Sequence, residues 1–457
     1  MIIPLSLIGL LAIVSVVLLA SPYPFLAPGA VVGLAGLLAL YRRPAWGLMA
    51  IITLVPLEGL FKEGELSATK FIGAALALVL LLQLAVGQLP AERLRTSMWR
   101  LLLGFMALYL LSALATNSAE MSLGHFRELA VGLLCFIITL LVGRDLNLVM
   151  MSRLVTLSVG LACALAMFSA KYQDEGRASG LLEDPNVFAM LIAIAVPLTL
   201  WLVFKSPNRL QRLFWIACAI LLLAGMTKTN SRSGLVVLMI SLVIAMVHYR
   251  DQLTRVRPRH LGFAMLGLAI VLPTAVALMP ATYIERIQSL ALLKSGVNAY
   301  KDDSLGRRAS YIVVGSKMIR EHPVLGTGPG TFPLNYATTG YAKAFSANRK
   351  VGDLYRRAHN TYLEIFSEVG VPAGLLFVGM ITLGLYNFWH ARRLWLLQGN
   401  RDEADLLTHL CTSMLAIGLF LMFLSAPNQK YLWIMLAMTS VLRLKAEQAP
   451  LSTEAKA

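Results

Sequence analysis

In RRAHNTYLEIFSEVGVPAG, residues 356–374, a histidine follows two arginines and stands just ahead of an apolar, helix-forming run. Thr361 and Glu364 have the spacing of a capping box, which sets the helix start at about Thr361 and His359 at its mouth. The unpaired N–H groups and positive dipole end of a helix favour an anion there, as do Arg356 and Arg357, and they disfavour a protonated imidazole. A neutral imidazole is what a general base needs to take a proton from an incoming hydroxyl. The competing reading is a histidine that only caps or hydrogen-bonds loop backbone. Glu364 and Glu368, one turn apart, either orient His359 or pair with an arginine, and pairing is the favoured role. The other histidines are weaker candidates: His248, His260, His390 and His409 fall toward the opposite ends of their runs, and His125 and His322 lack these neighbours.

Three other segments bring arginine to the ends of apolar runs. Arg177 lies in KYQDEGRASGLLEDPNVFA, Arg232 in TKTNSRSGL, and Arg307 with Arg308 in SLGRRAS. Charge in such places is costly unless it faces a polar cavity or a ligand, and arginine grips phosphate oxygens in a bidentate way that lysine does not. Snorkelling to lipid headgroups is the plainer explanation for any one of them.

The scaffold that must hold these residues is set by composition. Of 457 residues 58% are hydrophobic and only 14% charged, and the mean hydropathy is +0.71, well outside the range of soluble domains. About fourteen apolar runs recur, centred on residues 3–20, 25–41, 45–60, 69–87, 98–115, 128–143, 150–169, 187–204, 212–227, 233–248, 261–280, 361–389, 404–424 and 428–442. Each is long enough to cross a hydrocarbon core of about 30 Å as a helix. The expectation is an all-α polytopic membrane protein with about 12–14 transmembrane helices. The first run has no basic n-region and no small-residue cleavage site, so it reads as a span rather than a signal peptide. Cys135, Cys163, Cys218 and Cys411 lie inside these runs without CxxC spacing and read as packing residues.

With fourteen spans the connectors alternate, and Lys and Arg mark the cytoplasmic ones. About 20 of the 40 fall on one side, from Arg42 and Arg43 through Arg93, Arg144, Lys205 and Arg257 to Arg392 and Arg443, and that side is expected to be cytoplasmic with both termini. The long connector 281–358 then lies outside, with 12 basic against 5 acidic residues, an excess that suits an anionic ligand. Topology accounts for half the cations behind the net charge of +16, and no nucleic-acid-binding motif accompanies them. Within the connector, Ser304 as cap, Leu305, Ala309, Ile312 and Ile319 at helical spacing, and Pro323 as stop predict an amphipathic helix at the membrane surface. The following VLGTGPGTF is a tight turn; it lacks the GK[ST] of a phosphate-cradling P-loop.

The blocks EGRASGLLEDPNVFA, TNSRSG, SLGRRASYIVVGSKMIREHPVLGTGPGTF and RAHNTYLEIFSEVGVPAG resemble, in order and spacing, those of the bacterial O-antigen ligase and polymerase superfamily, over about residues 170–385. The resemblance implies a GT-C-like, metal-independent glycosyltransferase of the bacterial inner membrane, without a cofactor and with its site facing the periplasm. Residues 1–280 would hold the first eleven spans, 281–358 the large periplasmic loop with its amphipathic helices, and 359–457 the last spans and a cytoplasmic tail. By the same resemblance His359 is the base, Arg232 and Arg307 hold the substrate diphosphate with Arg177 as a third, and Glu364, Arg308 and Asn360 support them. The implied donor is an undecaprenyl-diphosphate-linked glycan. Ligation to a lipid A-core acceptor is the first reading, polymerisation of repeat units the second, and transfer to protein a third; nucleic acid is not a partner. A transporter or lipid flippase would more naturally place charge or broken helices near the bilayer midplane in repeated halves, and neither is found.

Overall fold

The computed structural model describes residues 26–250, 303–346 and 354–450, apart from positions 61, 64, 65, 117, 175 and 183, together with a few positions between 13 and 20. The expected spans at 3–20 and 261–280, and Arg257 and His260, lie outside the described residues. The chain is all-α and polytopic. Helices α1 (Leu26–Arg42), α2 (Pro44–Leu54), α3 (Ala68–Ala85), α4 (Trp99–Ala115) and α5 (Ala119–Val142) come first. They are followed by α6 (Leu148–Phe168), α7 (Pro185–Lys205), α8 (Arg209–Lys228) and α9 (Arg232–His248). A second group comprises α10 (Asp303–Glu321), α11 (Phe332–Ala337) and α12 (Gly340–Ser346). The chain ends with α13 (Thr361–Glu368), α14 (Val371–Leu397), α15 (Arg401–Phe420) and α16 (Lys430–Gln448).

The helix starts follow capping chemistry. Asn147, Asp184, Asn208, Ser231, Asn360 and Asn400 each precede a helix and accept a first-turn backbone N–H with their side chains. Six helices among the described residues are long and apolar enough to cross a membrane: α3, α5, α6, α7, α8 and α14. That is fewer than the sequence suggested. The pair α1 and α2 meets the test only together and is bent by 113° at a break, where Arg43 and Pro44 interrupt the run. Helices α4 and α9 are apolar but shorter, and α15 and α16 carry charged residues at their ends.

Burial ranks the helices. The apolar window of α7 is 78% buried, which makes it the centre of the bundle, whereas α3 and α8 bury 28% and 22% and present the rest to lipid. Side-chain contacts define two ends. Arg93 with Asp145, Lys205 with Asp402 and Asp405, and Arg443 with Glu447 gather at one. Lys430 with Glu58, Arg177 with Thr229, and Arg357 with Glu364 gather at the other. The cations expected on the cytoplasmic side and those proposed for chemistry are thus at opposite ends.

The run 361–389 is not one helix. It breaks at Gly370, whose φ of 97° ends α13 and whose missing Cβ would sit 2.1 Å from the Val324 carbonyl oxygen. Pro372 then opens α14. The break is where VLGTGPGTF docks. Thr327 N–H donates to the Ser367 carbonyl (3.3 Å), Gly328 N–H to that of Glu368 (2.8 Å), and Val371 N–H to that of Pro323 (2.8 Å). The Thr116 hydroxyl donates to the Thr327 carbonyl and that of Ser122 to the Pro329 carbonyl, each at 2.8 Å. The glycine-rich turn is therefore a clamp joining α10 to α4, α5, α13 and α14.

The amphipathic helix forms as α10, and the face it buries against the protein is a different one from the apolar face assigned to the membrane surface. Ala309 and Ile312 are exposed, while Ser310, Tyr311, Val314, Gly315 and Met318 are buried. The reason is close packing on α13: a Cβ on Gly315 would come within 2.7 Å of Leu363. Tyr311, Val314 and Met318 join Phe332, Tyr336, Ala342 and Ala358 in a second hydrophobic core, separate from that of the bundle.

Candidate active site

His359 sits where the two cores meet. Its neighbour Ala358 is packed into the second core, and Thr361, two residues on, is locked to the bundle. Thr361 N–H donates to the carbonyls of Leu421 (2.8 Å) and Leu424 (3.0 Å), and its hydroxyl accepts from Ala426 N–H (2.9 Å). The expected capping box is absent. Asn360, not Thr361, caps α13, taking the Leu363 N–H at 3.1 Å. Thr361 is occupied by the loop after α15, and Glu364 turns outward from the helix start.

Glu364 clamps the two residues before His359. Its carboxylate accepts from Arg357 Nη2 (3.0 Å) and Nε (3.3 Å), and from Ala358 N–H (3.0 Å). The Glu364 side chain is 3% exposed. Burial disfavours the charge of Arg357, but Glu364 and Glu368 hold its proton more firmly than usual. Glu368 accepts Gly330 N–H (2.8 Å) and Phe332 N–H (2.7 Å), so it fastens the glycine turn. Burial, and then the charge of Glu364, push its carboxyl upward against those two donors and Arg357.

The clamp bends the chain sharply. Among the described residues the non-glycine positions with left-handed backbone are Asn230, at 52°, and His359, at 49°. Both fall in the blocks singled out from sequence. The His359 ring lies 6.1 Å from that of Tyr311, tilted by 33°, and accepts or donates no hydrogen bond among the described residues. Burial and then the Arg308 guanidinium hold its pKa below the ordinary value, with Arg357 adding to them; Asp184 and Glu364 pull the other way. A neutral imidazole without a hydrogen-bond partner among the described residues has the chemistry of a proton acceptor.

A cavity of about 870 Å³ opens beside it, lined by His359, Arg356 and Arg357 on one wall, with Asp184, Lys70 and Lys171 among the others. The arginines fall into two groups. Arg177 Nε donates to the Thr229 carbonyl (3.0 Å), and its Nη2 stands 3.5 Å from Asn186 Oδ1. Asn186 Oδ1 also accepts from the hydroxyl of Ser231 (3.0 Å), the cap of α9 immediately before Arg232. Asn186 in turn donates to Asp184 Oδ1 through its backbone N–H (2.7 Å) and side chain (3.0 Å). One polar chain therefore runs from the Arg177 and Arg232 segments to Asp184 on the cavity wall. Arg307 is elsewhere: its Nη2 donates to the Phe345 carbonyl (3.3 Å) and its guanidinium lies over the Phe345 ring. Its neighbour Arg308, over Phe423 at 6.0 Å, is the one that acts on His359. The reading of the sequence missed Asp184, although an acid before Pro-Asn is a recognisable cap. It also missed Asn186 and Tyr311, which carry no such signal.

These features define a polytopic membrane protein with a charged cavity at one end of its helical bundle and a histidine of lowered pKa on the cavity wall. Residues 217–378 match the family model described as O-antigen ligase, and the match supports the likeness of this segment to the O-antigen ligase and polymerase superfamily. The matched segment runs from α8 into α14 and contains Arg232, Arg307, Arg308, His359 and Glu364. No curated protein matches the chain.

Proposed function

We propose that the protein is an O-antigen ligase of the bacterial inner membrane, moving a glycan from an undecaprenyl-diphosphate carrier to a hydroxyl of lipid A-core at the periplasmic face. In this reading the acceptor hydroxyl gives its proton to the His359 imidazole as its oxygen bonds to the anomeric carbon. The bond from that carbon to the diphosphate breaks, and the leaving diphosphate takes the electron pair. Arg177, Arg232 and Arg308, with Arg307 as a further candidate, meet the charge that gathers there. A lipid diphosphate is already an activated leaving group, so base and cations suffice for the step. The single observation that carries the reading is the His359 imidazole itself, on a cavity wall, held neutral and engaged by no hydrogen bond among the described residues.

The test supplies labelled undecaprenyl-diphosphate glycan to the purified protein in liposomes, with and without lipid A-core. Label in lipid A-core is the expected result. Label only in a lengthened lipid-linked glycan would make the protein a polymerase, and no transfer in either arm would overturn the glycosyltransferase reading.

A further inference from the structure

The cavity has a second polar wall, opposite in character to the cationic one. Glu58, at the end of a 3-10 turn (Val55–Leu60) that extends α2, lines it with Ser67, Ser425, Asn428 and Gln429. Three donors converge on one oxygen of Glu58. Ser67 Oγ (2.5 Å), Thr69 Oγ1 (2.9 Å) and Lys430 Nζ (2.6 Å) all donate to Oε1, while Oε2 accepts nothing among the described residues. Lys430 also donates to Thr69 Oγ1 at 2.8 Å, which closes the network. The turn itself cannot drift, because Gly59 N–H donates to the Leu181 carbonyl at 3.1 Å. A carboxylate fixed by three donors on one side offers its other oxygen with little ordering cost.

A second, independent feature belongs to a residue that lines the same cavity. The hydroxyl oxygen of Ser425 is buried and has no hydrogen-bond partner among the described residues. An orphaned buried hydroxyl is costly and calls for a ligand or an ordered water. Ser425 lies in the loop after α15, next to Leu424, whose carbonyl accepts Thr361 N–H two residues from His359. Asn428, next in the loop, commits its Nδ2 to Glu128 at 2.9 Å and keeps its carbonyl oxygen.

We infer that Glu58 Oε2 and Ser425 Oγ form a subsite for the hydroxyl groups of a saccharide, which it holds while His359 acts on the reacting hydroxyl. The Glu58 oxygen favours hydroxyl donors over a diphosphate. An acceptor-only carboxylate oxygen repels an anion and takes hydroxyl donors, and the charge of Lys430 is already matched by Glu58. The subsite lies wholly outside residues 217–378, on segments before α3 and after α15, so it belongs to this chain's choice of glycan rather than to the matched segment. The inference rests on the glycosyl-transfer reading for its substrate class.

Binding can be measured without turnover. The detergent-purified full chain is titrated with two probes: the host's undecaprenyl-diphosphate-linked repeat unit, and delipidated core oligosaccharide from the host's lipopolysaccharide. Ser425→Ala breaks no bond within the protein, so it is expected to fold with unchanged or slightly higher thermal stability. It should weaken one of the two probes about 2- to 10-fold, and Glu58→Gln should weaken the same probe about 10-fold or more. The probe affected says whether donor or acceptor saccharide occupies the wall. Wild-type affinity for both probes in both variants would overturn the inference while leaving the transfer reading intact. Failure of the wild-type protein to bind either probe would instead overturn the transfer reading.

Discussion

Replacing His359 by glycine and by alanine separates its chemistry from its backbone. A residue with a Cβ in the left-handed region costs about 1–2 kcal/mol, and His359 has a φ of 49°. His359→Ala keeps that strain and removes the ring contact with Tyr311, a contact of a kind worth about 0.5–1.5 kcal/mol. His359→Gly removes the same contact and also relieves the strain, set against a flexibility cost of about 0.5–1 kcal/mol. Glycine should therefore leave stability within about 1 kcal/mol of wild type, and alanine should be the less stable of the two. If His359 is the base, both variants should lose transfer by about 10²-fold or more. Binding of the lipid-linked donor should survive, because the arginines carry that contact. Thermal unfolding, donor binding and initial transfer rate on one detergent preparation give all three readings. A His359→Gly protein as stable as wild type but transferring glycan at near its rate would refute the base assignment. Alanine more stable than glycine would refute the account of the turn.

Arg308→Ala should raise the His359 pKa toward its ordinary value and move the acidic limb of the kcat/KM profile to higher pH, whereas Asp184→Asn should move it lower. An unmoved limb in both would separate these charges from the base. Because the folded pKa of His359 is depressed, its contribution to stability is present above the unfolded value of about 6.5 and is lost as pH falls through the folded one. Glu364→Gln removes a buried charge from Arg357 while leaving an acceptor for Ala358 N–H, and should cost about 1–3 kcal/mol in thermal unfolding and slow transfer more than it weakens donor binding. Equal loss of both would make the clamp a folding element only. Gly370→Ala forces a Cβ against the Val324 carbonyl and should destabilise by about 1–3 kcal/mol, read as a lowered melting temperature; a wild-type value would contradict the docked turn. Arg232→Lys keeps charge but loses bidentate geometry, so donor affinity should fall; unchanged affinity in Arg232→Ala would remove it from the site.

The fold class was legible because apolar composition and run length leave few alternatives to a helical membrane bundle. What lay beyond it depended on contacts between distant segments. Asn360 and Thr361 are both good caps by type, and only the Leu421 and Leu424 carbonyls decide which one is free to serve. Arg307 and Arg308 are adjacent, yet on a helix they point about 100° apart, and periodicity gave no sign of the protein-facing side of α10, because Gly315 and Ser310 bury without being apolar. The pairing favoured for Glu364 is present with Arg357, and nothing in the sequence signalled the second bond to Ala358 N–H. Glu58 was not singled out from the sequence, because its meaning comes from Lys430, 372 residues away.

The placement of His359 between two cores explains why its loop can hold a strained turn. On one side Ala358 is anchored by the aromatic cluster of α10 and α11, and on the other Thr361 is anchored by the loop between α15 and α16. Neither core alone fixes both flanks, so the left-handed turn is over-determined only when both are assembled. The glycine turn supplies the coupling, since Glu368 in α13 takes two of its N–H groups and its Thr327 carbonyl is held from α4. Loss of that turn should therefore free the base without touching it. Another part of the cavity lining comes from elsewhere in the chain, the α2–α3 connection and the loop before α16, which lie outside the matched segment. In the proposed reading, His359 and its strained loop can stay fixed while the rest of the lining changes to suit a different saccharide.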